Sequence, residues 1–167
     1  ISTIMSALKY ITDNNIEHGD IYIAFVPDEE IGLLGSKQLD LNVFKPDFAY
    51  TIDSCEIGEI VYETFNAGSA AIDIEGVTAH PMSAKGVLVN PILIAIDIAN
   101  EFDRKQTPEC TEKKEGYIWV QGISGNQRNA SLKLNIRDHN KKLYEEKKAK
   151  IREAVEKHQK LEPRAKI

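Results

Sequence analysis

The chain has 167 residues, 42% hydrophobic and 28% charged, with a formal net charge of −5, which suits one ordinary domain or two small ones built around an apolar core. The acidic balance argues against a nucleic-acid surface, which needs clustered Lys and Arg, and no apolar run is long enough to span a bilayer. Cys55 and Cys110 stand far apart without metal or redox spacing, the pattern of reduced thiols in a cytoplasmic protein. No basic region followed by an apolar stretch marks a secretory leader, and the opening on Ile1 instead of Met points to sequence upstream.

Ile1 to Asn14 reads as a helix with Ile4, Leu8 and Ile11 on one face and Asn14-Asn15 as its stop. Gly19-Asp20 turns into an apolar strand, Ile21 to Val26, followed directly by Pro27-Asp28-Glu29-Glu30-Ile31-Gly32. A short helix is expected from Glu29 to about Leu39, interrupted by Gly32 and Gly35. Lys45-Pro46-Asp47 then turns into a second strand, Phe48 to Ile52, which ends on Asp53. Helix–strand–helix–strand order with near-continuously apolar strands indicates parallel α/β architecture.

The character changes after Gly58-Glu59. Ile60 to Ile74 alternates roughly, as a half-exposed antiparallel strand does. Asn90-Pro91 supplies a cap and first-turn proline for an apolar helix through Phe102, expected to be largely buried. Gly116 to Ile123 and Ala130 to Ile136 form a hairpin across Ser124-Gly125-Asn126. Lys141 to Lys157 is a charged helix whose apolar stripe, through Tyr144, Ile151 and Val155, is interrupted by Lys147 and Lys148. Arg164 to Ile167 reads as the start of another strand. Residues 1–60 are therefore assigned to an α/β segment and 61–167 to an α+β module with an antiparallel sheet and two helices.

The acidic turn carries the chemistry. Open α/β sheets place ligands at the carboxyl ends of their strands, and Glu29, Glu30 and Asp53 all follow such ends. If the two strands are neighbours, the three carboxylates converge and suit a divalent metal with a general base. The plainer alternative makes Asp28 a helix N-cap, with the glutamates favouring the positive end of the helix dipole.

An ordered series of motifs extends this reading. Pro27-Asp28-Glu29-Glu30-Ile31-Gly32, Asp47-Phe48-Ala49-Tyr50-Thr51-Ile52-Asp53, Gly58-Glu59 and Tyr62-Glu63-Thr64-Phe65-Asn66-Ala67 resemble the peptidase T family of tripeptide aminopeptidases. Gly76-Val77-Thr78-Ala79-His80-Pro81, Ala84-Lys85-Gly86, Val89-Asn90 and Ile136-Arg137-Asp138 continue the resemblance in order. That family belongs to the two-metal exopeptidases, which also include carboxypeptidases, aminoacylases and deacetylases. The resemblance implies part of a zinc-exopeptidase α/β catalytic domain followed by a lid, or dimerisation, domain.

It also implies roles. Glu29 would be the general base, Glu30 a ligand of one zinc and Asp53 of the other, with two zinc ions in a complete site. His80 would stabilise the oxyanion, often across a dimer in such families, and Arg137 would bind the carboxylate of a small peptide substrate. For His80 the plain alternative is a surface-loop histidine. For Arg137 it is an ion pair with Asp138. The family's His-x-Asp would lie before Ile1 and its late histidine ligand after Ile167, so only half of the ligands are expected here and activity of this stretch alone is not. Ser54-Cys55 and Met82 replace glycines of the family pattern. A homodimer through the lid is implied, without nucleic acid or membrane. The alternatives are a non-catalytic dimerisation module and a related deacetylase or dipeptidase.

Overall fold

The computed structural model describes residues 1–167 and separates into two compact units, Ile1–Val61 and Tyr62–Ile167. The first unit opens with α1 (Ser2–Asp13), whose half-buried residues include Ile4, Leu8 and Ile11. The helix stops where Asn15 takes a left-handed φ of 46°. Asn14 donates twice to the Tyr10 carbonyl, from its backbone amide at 3.2 Å and from Nδ2 at 2.8 Å, so one residue closes the last turn.

Ile21–Val26 and Phe48–Ile52, expected as parallel strands, form no ladder with each other or with any other segment. The physical reason is that a strand is defined by its neighbour, which must take up its backbone N–H and C=O groups. Their apolar side chains remain exposed, Phe25 at 50% and Tyr50 at 80%. The helix expected from Glu29 is also absent, with only a 3₁₀ turn at Ser36–Gln38 in its place. Positive φ values at Asp28, Gly32 and Leu33 (63°, 110° and 59°) interrupt any helical run there.

The second unit contains β1 (Asn66–Glu75), α2 (Pro91–Asn100), β2 (Tyr117–Gly125), β3 (Asn129–Asp138) and α3 (Lys141–Leu161). The strands lie in the order β1-β3-β2, each antiparallel to its neighbour, so β1 and β2 flank β3 as in a split βαβ arrangement. Alternation along β3 sends Ala130, Leu132, Leu134, Ile136 and Asp138 inward. There they join Ile72 and Ile74 of β1 and Ile118 of β2, covered by Ile94, Ala95 and Ile98 of α2 and by Ile151 and Ala154 of α3.

Local chemistry sets the boundaries. Asn90 Oδ1 accepts the Ile92 amide at 3.0 Å ahead of Pro91, and Asn140 Oδ1 accepts those of Lys142 and Leu143 at 2.8 and 3.3 Å. Asn126 closes the hairpin, its Oδ1 accepting the Arg128 and Asn129 amides. The ladder between β2 and β3 shifts register between Val120 and Gly122, leaving Gln121 as a bulge. Beyond α3, Lys166 and Glu75 exchange two backbone hydrogen bonds of 2.8 and 2.9 Å on the outer edge of β1.

Two expectations need correction. Helix α2 buries Pro91, Ile94, Ala95 and Ile98 but leaves Leu93 57% and Ile96 42% exposed, because one sheet face covers only one side of it. Lys147 does not interrupt the packed face of α3. It reaches back to Asp138, Nζ to Oδ2 at 2.7 Å, with side-chain exposures of 15% and 2%.

Candidate functional site

The acidic turn is a knot of tight backbone geometry. Asp28 sits in the left-handed region, and the Glu29 carbonyl accepts the amides of Gly32 and Leu33 at 3.1 and 3.0 Å. The Leu34 amide returns to the Asp28 carbonyl at 3.1 Å. Gly35 closes the knot against Pro27, where an added Cβ would meet Pro27 Cδ at 2.7 Å and the Pro27 carbonyl closer still. Asp28 therefore caps no helix, and the plainer alternative for this triplet fails on its backbone. Strained conformations of this kind concentrate at functional sites. Glu29 and Glu30 are both exposed.

Asp53, also exposed, precedes a small loop closed by its own polar groups. Ser54 Oγ donates to Glu59 Oε2, the Glu56 amide donates to the same oxygen at 3.4 Å, and Gly58 turns the chain at φ 83°. Glu59 is held below the usual carboxylate range, first by the Ser54 hydroxyl and then by the backbone amides of Glu56 and Cys55. Ser54 thus has a task in this chain, as the clasp of the loop beside Asp53.

His80 lies on the loop after β1, exposed and at the N-cap of a 3₁₀ turn, Pro81–Ser83. Its Nδ1 accepts the Met82 amide at 3.3 Å. A ring that accepts at Nδ1 carries its proton on Nε2, so the free edge is a donor. The loop is pinned at its base by the Val77–Val89 bridge and at its far side by Arg164, whose Nη1 donates to the Gly86 carbonyl at 2.9 Å. Glu162 holds that guanidinium through Nε and Nη2 at 2.9 and 2.7 Å.

Arg137 pairs across β3 and β1 with Ala67, at the opposite end of β1 from the exit toward His80. It makes no ion pair with Asp138, which Lys147 occupies. Its guanidinium lies over the Phe65 ring, 4.6 Å from the centroid. Strand β1 has ten residues, so about 30 Å separates its ends. One copy therefore does not bring His80 and Arg137 together.

No group of three or more His, Cys, Asp or Glu side chains converges as a metal requires. A zinc centre takes at least three protein ligands, so Glu30 and Asp53 do not by themselves fit a metal. Two of the remaining histidines are engaged elsewhere. His18 Nδ1 contacts the Gly19 carbonyl at 2.7 Å, and His158 Nε2 meets Glu101 Oε1 at 3.0 Å. His139 buries an Nδ1 that has no partner. Sequence reasoning missed Phe65, Lys147 and Arg164. Only the strand register, which puts Asn66 opposite Asp138, could have drawn attention to Phe65 beside Arg137.

Residues 62–163 match the peptidase dimerisation domain of the M20 type, and the chain belongs to that family. It is 55% identical over its whole length to a peptidase T-like protein of Yersinia pestis. It is 51% identical over 93% of its length to another from Rhizobium meliloti, and 41% over 92% to peptidase T of Enterococcus faecalis. The chain spans 40%, 38% and 37% of those relatives' lengths. Among solved structures, an aminopeptidase from Bacillus cereus superposes with a TM-score of 0.79 at 24% identity, covering 96% of this chain and 44% of that one. A tripeptidase from Staphylococcus aureus gives 0.71 at 20% identity, covering 95% and 43%. These likenesses, together with the three-stranded antiparallel sheet and its helices, show the fold of an M20 dimerisation domain. No helix is long and apolar enough to cross a membrane.

Proposed function

We propose that this chain belongs to a metal-dependent aminopeptidase, cytoplasmic and dimeric, that releases the N-terminal residue of tripeptides. Residues 1–60 belong to its catalytic domain and 61–167 to the lid through which two copies pair. The observation that carries this reading is the extent of identity to proteins of the peptidase T type. It runs through the acidic turn as well as the dimerisation domain, over 92% or more of the chain. A dimerisation module without catalysis would leave the strained acidic turn without a role.

Each residue contributes by its own chemistry. Glu29 takes the proton of the attacking water as general base. Glu30 and Asp53 would each offer a carboxylate oxygen to a metal, zinc on the resemblance, which would polarise the scissile carbonyl once further donors complete its ligand set. His80 presents its Nε2 proton to the oxyanion that develops on the scissile carbonyl. Arg137 takes the substrate carboxylate with its planar fork. A tripeptide reaches only about 10 Å when extended, so His80 of one copy serves the substrate held by the other.

The test uses an enzyme of the relatives' full length that carries this chain. It should hydrolyse tripeptides with a free amine. Glu29→Ala should lower kcat by about 10²–10⁴-fold with metal content unchanged, whereas Glu30→Ala should lose metal. Metal loss from Glu29→Ala would reverse the two roles, and hydrolysis of acylamino acids alone would replace the peptidase with a deacylase.

A further inference from the structure

We infer that Phe65 is a positioning residue for Arg137, fixing the guanidinium so that it selects peptides with a free terminal carboxylate. The inference rests on the carboxylate-binding reading of Arg137 given above and adds the element that aims it. Asn66 pairs with Asp138 in the ladder and holds the Asp138 carbonyl through Nδ2 at 3.0 Å. That register sets Phe65, one residue earlier, beside the stretch from Arg137 to His139. The ring meets the guanidinium at 4.6 Å and the His139 imidazole edge-to-face at 5.9 Å, with an interplanar angle of 69°. The aromatic ring is thus itself held in place. The Asn66 amide also lies 3.4 Å from the His139 carbonyl, tying the same corner.

The guanidinium that rests on this platform forms no hydrogen bond or ion pair with any residue of the chain. The neighbouring carboxylate that would otherwise take it, Asp138, is buried and bonded to Lys147 and to the Asn140 amide, at 2.7 and 2.8 Å. Arg137 is exposed, so its N–H donors point into reach of solvent and of a ligand. A guanidinium stacked on an aromatic face keeps its in-plane donors free while losing much of its rotational freedom. A carboxylate, planar and able to accept two parallel N–H bonds, is the ligand that such a fork fits. The Lys147–Asp138 pair keeps the adjacent carboxylate out of competition, and Phe65 sets the plane in which the fork opens.

The test measures kcat and KM for a tripeptide and for its C-terminal amide, in the full-length enzyme carrying this chain. Phe65→Leu should raise KM for the free acid about two- to five-fold, the loss of one exposed cation–π contact, with kcat and the amide's kcat/KM unchanged. Phe65→Tyr, which keeps the ring, should match the wild type. Arg137→Leu should show the same discrimination more strongly. If Arg137→Leu discriminates and Phe65→Leu does not, the positioning role of Phe65 is wrong while the carboxylate reading stands. If Arg137→Leu weakens acid and amide alike, the carboxylate reading itself fails and takes this one with it. Proton NMR of the unsubstituted chain gives a second readout, in which the Arg137 δ-methylene signals should lie upfield through the Phe65 ring current. Their appearance at ordinary positions would overturn the proposal without any variant.

Discussion

Lys147→Ala is the sharpest perturbation of the second unit. Lys147 Nζ lies 2.7 Å from Asp138 Oδ2, and the Asp138 side chain is only 2% exposed. At that distance the gross attraction is about 6 kcal/mol for an effective dielectric of ~20, much of it offset by the desolvation of both groups. Removing one partner leaves the other charge buried, which costs about 3–5 kcal/mol in such pairs. Asp138 cannot move away easily. Its Oδ1 accepts the Asn140 amide at 2.8 Å, and its carboxylate fills the space that a Cβ on Gly116 would need. Trp119, the single tryptophan and 38% exposed on β2, reports unfolding of the sheet by fluorescence. In urea, with a slope of about 1–3 kcal/mol per molar, the midpoint should fall by more than ~1 M. Lys147→Met, which keeps the stem without the charge, should be nearly as damaging. The double change Lys147→Met with Asp138→Asn should recover most of the loss. A Lys147→Met midpoint at the wild-type value would refute the electrostatic reasoning and assign the effect to packing of the stem.

Three other outcomes are expected. Hydrogen exchange should be fast throughout residues 1–61, none of which is buried. α1, with 12 residues, is too short to hold alone, and slow exchange at Ile21–Val26 would contradict this. Glu101 is held below the usual carboxylate range first by Lys157 and then by His158, which meet its Oε1 at 2.7 and 3.0 Å. A depressed carboxylate contributes stability above its unfolded pKa, about 4.3, and loses it as pH falls through the lower folded value. Glu101→Gln should therefore flatten the decline of Tm below about pH 4, and parallel Tm–pH curves would reject the contact. Calorimetric titration of the isolated chain with Zn²⁺ should show weak binding at best, since two carboxylates fall short of a zinc ligand set, and a tight stoichiometric site abolished by Glu30→Ala would overturn that.

Much of the second unit was legible because its signals are local. Asn90-Pro91 fixes the start of α2, alternation from Ala130 to Ile136 fixes the inward face of β3, and Asn126 marks the hairpin. The acidic turn was legible as a place but not as a shape, because nothing in the sequence marks Leu33, a residue type that rarely takes positive φ, as left-handed. Ile21–Val26 and Phe48–Ile52 have strand composition, yet composition specifies a surface and not the neighbour that must complete it. Lys147 read as an interruption because helical periodicity sees only one face. Its partner lies nine positions earlier, across the turn from β3 into α3. The Arg137–Phe65 stack depends on cross-strand register, which no single segment encodes.

Gln121 gives the open side of the sheet a particular character. β2, like β1, is an edge of the sheet, its outer side tied to the rest of the chain by the Ile118 amide, which donates to the Gln106 carbonyl at 3.3 Å, and such rims invite an extended chain to add itself as another strand. The extra residue divides that rim into Tyr117–Val120 and Gly122–Gly125, with a local change of twist between them. An incoming strand in continuous register can follow one half or the other but not both. Misdirected polymerisation along this side is thereby limited to short stretches, and a specific partner that uses it must carry a matching irregularity or stop at Gln121.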